Sequence, residues 1–266
     1  MSPRPLLSPL PEPVVLDIPA LGDAIARGEV DLVCVLGPTA SGKTKYAVEL
    51  ARLLGGEILS ADSRQVYRGM DIGTGKDLAD YCEIPYHLID IADAGETYNV
   101  YRYVQDFKAA YADVRSRGKV PVLCGGTGMY INAVTAGYDF KTKKPLSEAG
   151  DSFEIQPEGL PSKTFFIGTL VDRETRNARI DARLDARLAE GMVDEIRGLL
   201  DAGVPAATLI SYGLEYKFVT QHILGELSYA QMRELLSIAI HQFAKRQMTW
   251  FRGMERSGNH IHWVKV

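Results

Sequence analysis

An α/β fold, in which a parallel sheet is flanked by helices and followed by a helical C-terminal part, is predicted by three features of the 266-residue sequence. Short β-branched and apolar runs alternate with segments of helical period, as in chains that return each strand to one sheet through a helix. The run at residues 31–36 leads into a glycine-rich turn that opens a helix. From residue 172 onward the apolar period becomes mainly helical.

Each element follows from local chemistry. Residues 1–30, with five prolines in the first 13 and no charged-then-apolar signal pattern, read as a flexible leader. A strand is expected at 31–36, a helix from about 42 to 54 and a second strand at 57–61. Residues 62–76 are polar and glycine-containing without a clean period, which suits a functional loop with a little helix. A third apolar run occupies 87–91. Tyr103, Phe107, Tyr111 and Val114 recur at helical spacing within 99–117, and Gly118 ends that helix. The next strand, 120–124, closes on Gly125-Gly126.

The α/β core on this reading spans 31–140. Residues 141–163, polar with prolines and glycines, read as a loop joining it to the remainder, 164–266. That remainder opens on a strand at 164–171. A helical stretch at 172–202 carries a four-residue echo, Asp181-Ala-Arg-Leu then Asp185-Ala-Arg-Leu. A long helix is expected at 228–252 with Met232, Leu235, Ala239 and Phe243 on one face. Residues 261–266 suit a small edge strand.

Composition narrows the function classes. Hydrophobic residues at 46% and charged residues at 24% fit a soluble globular chain with one α/β domain and an appendage, or two small lobes. A net charge of −4 gives no global attraction to nucleic acid, so any RNA-binding surface must be a local basic patch. Cys34, Cys82 and Cys124 show no C-x-x-C spacing, and two of them lie in strand-like runs, so reduced core thiols are expected. No apolar run is long enough to cross a bilayer. A cytoplasmic protein without membrane contact is expected, and a monomer is the working expectation.

Gly37, Pro38, Thr39, Ala40, Ser41, Gly42, Lys43 and Thr44 match the pattern G-x-x-x-x-G-K-[ST], after a strand and before a helix as that pattern requires. Glycines let backbone N–H groups turn inward around phosphate oxygens, and the helix N-terminus adds favourable partial charge. Lys43 supplies a point charge, and the Thr44 hydroxyl is suited to hold Mg²⁺. The sheet is therefore expected to be P-loop NTPase-like, with a pyrophosphate-bearing ligand. Kinases and nucleotide hydrolases usually carry a metal-holding acid at the end of a neighbouring strand. The strand ending at Cys124 offers none. Asp90 remains open between that role and a loop cap.

Five segments resemble the tRNA dimethylallyltransferase (isopentenyl-transferase) family. They are residues 37–44; Ser60-Ala-Asp-Ser-Arg-Gln-Val-Tyr67 with Gly69-Met-Asp-Ile-Gly-Thr74; Gly125-Gly-Thr-Gly-Met-Tyr-Ile131; Asp172-Arg173 with Arg179-Ile180 and Arg183-Leu184; and Lys245-Arg-Gln-Met-Thr-Trp-Phe-Arg252. Adenylate isopentenyltransferases share the P-loop and the acidic residue but are less similar around Trp250-Phe251. The resemblance implies that the P-loop holds the pyrophosphate of dimethylallyl diphosphate as a leaving group. It implies that Asp62 is the base for the adenine amine, a poor nucleophile whose lone pair is delocalised into the ring. Lys43, Mg²⁺ on Thr44 and Arg179 would stabilise the departing charge, and Thr127 would complete the catalytic set. Thr39 and Ser41 could offer hydroxyls to the diphosphate. Tyr67 and Tyr130 are open between walling a prenyl slot and core packing.

Ser63, Arg64, Gln65, Lys245, Arg246, Gln247, Trp250 and Arg252 are the expected RNA contacts, since unstacked bases lie well on aromatic and guanidinium planes. The implied partner is a tRNA anticodon loop. The chain departs from the family after residue 136, where a helical insertion is expected to be absent, and residues 210–215 match only loosely. AMP as acceptor, or a P-loop kinase or nucleotide-binding regulator without prenyl chemistry, remain alternatives.

Overall fold

The computed structural model describes residues 10–136 and 158–266, with two short segments, Tyr138–Asp139 and Lys144–Pro145, between them. In chain order the strands are β1 (Leu32–Leu36), β2 (Gly56–Ser60), β3 (Tyr67–Arg68), β4 (Tyr86–His87), β5 (Ala92–Asp93), β6 (Val120–Gly125), β7 (Tyr138–Asp139), β8 (Lys144–Pro145), β9 (Thr164–Leu170) and β10 (Ile261–Lys265). The helices are α1 (Ile18–Ala26), α2 (Lys43–Leu54), α3 (Val100–Ser116), α4 (Gly128–Thr135), α5 (Arg173–Glu190), α6 (Met192–Asp201), α7 (Ala206–Tyr212), α8 (Leu214–Ile223) and α9 (Tyr229–Arg256).

Six strands form one parallel sheet in the order β10-β9-β1-β6-β2-β4. Because side chains alternate across a strand, Leu32, Cys34 and Leu36 of β1 pack with Tyr103, Phe107 and Ile131 on one face, while Val33 and Val35 pack with Ala47, Val48 and Ala51 on the other. Both faces of the sheet are therefore covered: Leu32–Leu36 is apolar throughout, and Gly56–Ser60 is buried throughout although it carries Glu57 and Ser60. A third apolar cluster joins Val66, Tyr67 and Met70 to Leu184, Ile196, Leu209, Tyr216 and Leu236, so the helical C-terminal part is built onto the polar loop after β2.

Most expected elements are present within a residue or two, and several expectations are corrected. Residues 18–26 are a helix capped by Asp17, with Leu21 buried, so the leader is ordered there. Of the third apolar run, 87–91, only His87 pairs in the sheet, within the two-residue strand Tyr86–His87, since Leu88 and Asp90 have positive φ and take the chain off the ladder. The stretch 172–202 is two helices broken at Gly191, whose φ of 115° suits glycine. On α9 the buried stripe is Met232, Leu236, Ala244, Gln247, Phe251 and Met254, while Leu235 and Phe243 are exposed. Helices α4, α7 and α8 had no clear period. Much of the joining loop 141–163, where the family insertion is expected to be missing, lies outside the described residues. Cys34 and Cys124 are buried, Cys82 is exposed, and all three are free thiols. Among the described residues no helix is long and apolar enough to cross a membrane.

Candidate active site

The site stands at the carboxyl ends of β1, β6 and β2, where parallel sheets with a reversal of strand order leave a crevice. The segment 37–44 follows β1 and the turn 125–128 follows β6, its neighbour in the sheet. Two glycines there are required by contact. A Cβ on Gly37 would lie 2.1 Å from Oγ1 of Thr169, and one on Gly128 would lie 2.3 Å from the Trp250 indole. Ala40 takes a φ of 59° inside the loop, and α2 begins at Lys43, so its first-turn N–H groups lack intrahelical partners.

A cavity of about 480 Å³ opens here, within the range of small-molecule sites. Thr39, Lys43, Thr44, Asp62, Ser63, Arg64, Gln65 and Thr127 line it, together with Arg246, Gln247 and Trp250 from α9. Sequence positions more than 200 residues apart thus share one wall. Burial lowers the Lys43 pKa; the Cys124 thiol and Asp62 oppose that shift, and Arg183 and Arg187 reinforce it. The Cys124 thiol is itself pushed up to about 11 by burial.

The Asp62 segment is held by hydrogen bonds. Oδ1 of Asp62 accepts from the Arg64 N–H at 2.9 Å, and Oγ1 of Thr127 accepts from the Ser63 N–H at 3.1 Å. The Thr127 N–H donates to the Ala61 carbonyl at 3.1 Å. Further along the same loop, Glu195 of α6 accepts three successive N–H donors, from Asp71, Ile72 and Gly73, at 2.6–3.0 Å. Tyr216 donates to that carboxylate at 2.8 Å. The loop is therefore anchored to the helical part while Gly73 and Thr74 line the cavity.

Other expected residues stand apart. Ser41 is fully buried and its hydroxyl bonds that of Thr169 at 2.7 Å, so it is turned away from the cavity. Arg179 is exposed, with its guanidinium close to Gly42 but outside the lining. Lys245 is exposed outside the lining, and Arg252 pairs with Glu255 at 3.1 Å. Gln247 is buried and bonded at both ends of its amide to backbone. Tyr67 packs on Tyr212 and Tyr130 stacks on Tyr103, so neither walls the cavity. Asp90 is ion-paired through Oδ1 with the buried Lys76 and does not line the cavity.

The sequence does not mark several lining residues as functional: Tyr81, Arg187, Ile240, Phe243 and the run 212–216, while Arg183 stands out only as part of the segment 172–184. Arg179, Arg183 and Arg187 recur every four residues, a helical stripe legible in the repeated Asp-Ala-Arg-Leu. Burial and its neighbour Arg183 lower the Arg187 pKa, and burial raises that of Glu215 across the cavity. The run 212–216 spans the junction of two short helices around Gly213, which no period marks.

The chain and its fold have counterparts among known proteins. The IPP transferase family model matches residues 65–156 and 140–254, and the isopentenyl transferase model matches residues 30–83. The tRNA dimethylallyltransferase 1 of Parabacteroides distasonis is 49% identical, with 88% of this chain and 92% of that one covered. That alignment runs over 282 positions, more than this chain has residues, so the relative carries residues without a counterpart here. The solved tRNA isopentenylpyrophosphate transferase of Bacillus halodurans superposes with a TM-score of 0.74 at 31% identity, covering 88% of this chain and 89% of that one. A eukaryotic dimethylallyltransferase acting on tRNA shares the fold, with a TM-score of 0.71 at 21% identity over 87% of this chain and 73% of that one.

Proposed function

Because this chain belongs to the tRNA dimethylallyltransferase (IPP transferase) family, we propose that it moves a dimethylallyl group from dimethylallyl diphosphate to the N6 amine of an adenosine in a tRNA anticodon loop. The observation that carries this reading is the shared cavity. Lys43, Asp62 and Trp250, from three distant parts of the chain, line one space large enough for a diphosphate and a nucleobase together.

In the reaction a bond forms between N6 and the allyl carbon as the carbon–oxygen bond to the diphosphate breaks. Asp62 takes the proton that the amine must lose, and the electron pair of the broken bond leaves with pyrophosphate. Lys43 and the α2 N-terminus stabilise that leaving charge. Arg187, and Arg183 with its partner Asp77, add further charged groups to the lining, with Arg179 outside it. Leu214, Ile240 and Phe243 give the cavity an apolar part that would suit the five-carbon tail. Ser63, Arg64, Gln65, Arg246 and Trp250, which also line the cavity, would receive the splayed base.

Mg²⁺ fits the donor set in a limited way. No group of three or more His, Cys, Asp or Glu suited to a metal occurs among the described residues. The Thr44 hydroxyl and Asp62, both in the lining of one cavity, would suit an ion that keeps most of its waters and takes further ligands from a diphosphate. When bound, Mg²⁺ would neutralise charge on the pyrophosphate.

The test is to supply dimethylallyl diphosphate with an anticodon stem-loop or with AMP and to measure pyrophosphate release. Release that depends on the RNA supports the proposal. Release with AMP and none with RNA would move the acceptor to a free nucleotide. Turnover of ATP with neither acceptor would replace prenyl transfer by phosphoryl transfer.

A further inference from the structure

The side-chain amide of Gln247 joins the two halves of the site. Its Oε1 accepts from the Thr39 N–H at 2.8 Å, and its Nε2 donates to the Gly126 carbonyl at 3.0 Å. The residue is 7% exposed and stands on the buried stripe of α9, between Ala244 and Phe251. Thr39 belongs to the phosphate loop. Gly126 precedes Thr127, whose hydroxyl holds the Ser63 N–H next to Asp62. A continuous path of hydrogen bonds therefore runs from the phosphate loop, through Gln247 and the turn after β6, to the segment that carries the carboxylate.

We infer that Gln247 is a positioning residue for the transfer, one that fixes the separation between the diphosphate cradle and Asp62, and not a contact to RNA. The inference rests on the proposed prenyl transfer. Leaving group and base act on opposite ends of the same event, the allyl carbon on one side and the amine proton on the other. Their separation must match the length of the reacting assembly, and a misplacement of about 1 Å can cost roughly a hundredfold in rate. A primary amide does both tasks at any pH, since it carries an acceptor and a donor on one planar group, whereas a carboxyl does both only when protonated. Asn is too short by one methylene to span the same two partners from α9.

A purely architectural side chain would predict something different. If Gln247 only kept the phosphate loop in shape, its loss would weaken diphosphate binding in step with turnover. As a spacer it leaves each half-site intact and disturbs their relation. Affinity for each substrate is then retained while turnover at saturation falls.

The experiment uses the full chain with Gln247→Ala and Gln247→Glu. Dissociation constants are measured for inorganic pyrophosphate and for an anticodon stem-loop, and kcat for dimethylallyl transfer at saturation. For Gln247→Ala we expect both affinities within about threefold of the parent and kcat lower by on the order of 10–100-fold. Gln247→Glu keeps an acceptor for the Thr39 N–H but donates to Gly126 only when protonated. Its rate relative to the parent at the same pH, which cancels titration of Asp62, should therefore rise as pH falls. An unchanged kcat in Gln247→Ala overturns the inference. So does a loss of pyrophosphate affinity that matches the loss of kcat, or a relative rate of Gln247→Glu that is flat with pH. A parent protein that transfers no prenyl group to RNA or AMP defeats the proposed function instead, and is seen before any variant is compared.

Discussion

Lys76 and Asp90 form an ion pair beneath the loop that follows Asp62, with the Lys76 side chain wholly buried and Asp90 about a third exposed. Lys76 also reaches Asp71 at 2.7 Å and the Tyr67 carbonyl at 2.8 Å, so its ammonium is fully coordinated by protein. Asp90→Asn should therefore lower stability by about 2 kcal/mol, between the worth of exposed and buried pairs. The Mg²⁺ dependence of the reaction should be unchanged. Chemical denaturation and a magnesium titration check both, and a shifted magnesium requirement would return Asp90 to the metal-holding role.

Lys43→Ala should abolish transfer while leaving the fold intact. The Lys43 side chain lines the cavity with Asp62 as a charged neighbour, so its removal costs charge at the site. Near-normal turnover of the folded variant at saturating dimethylallyl diphosphate would show that the loop has another role.

Asp62→Asn should keep both substrate affinities and lower turnover by roughly 10²–10⁴-fold, the usual worth of a positioned general base. The amide oxygen can still accept from the Arg64 N–H, so the local backbone is preserved. Lost binding with normal saturated turnover would make Asp62 an anchor.

Much of this was legible before any coordinates. The strand, glycine turn and helix at 31–54 carry their own chemistry, and so β1, the phosphate loop and α2 stand where expected. Asp62 and Trp250 were legible only through resemblance, because no local period connects them. Gln247 reads as polar and helix-terminal in sequence, and its burial depends on the turn after β6 approaching α9. Tyr81 belongs to a short 3-10 turn, Leu78–Tyr81, too brief to leave a period, yet it is buried against the cavity floor. Long-range packing decides such residues, and spacing along one segment carries no record of it.

The contact of Glu57 with Arg117 predicts a pH effect on stability. Arg117, ahead of His87, holds the buried Glu57 carboxyl at about 2. A carboxylate depressed in the folded state stabilises above its unfolded value, about 4.3, and that contribution disappears as pH falls towards 2. Glu57→Gln should thus be less stable than the parent near pH 7, and the difference should shrink between about pH 4.5 and 2. A difference constant over that window would mean that the pair is not what stabilises this edge.

On α9, Arg246 and Trp250 line the cavity while the exposed Lys245 and the paired Arg252 lie outside it. Stem-loop binding should show a shallow salt dependence, matching about two to four phosphate contacts. Arg246→Ala should flatten it more than Arg252→Ala, because Arg252 is already paired with Glu255. Equal effects of the two substitutions would place the RNA along the outer face of the helix.

The central claim is that one cavity performs prenyl transfer to an adenosine, with Asp62 as base. Its most direct test is incubation of the protein with labelled dimethylallyl diphosphate and an anticodon stem-loop, followed by nucleoside analysis of the RNA. The account predicts labelled N6-dimethylallyladenosine with the parent chain and a loss of roughly 10²-fold or more with Asp62→Asn. Label absent from adenosine with the parent chain, or present at the same rate with Asp62→Asn, would contradict it.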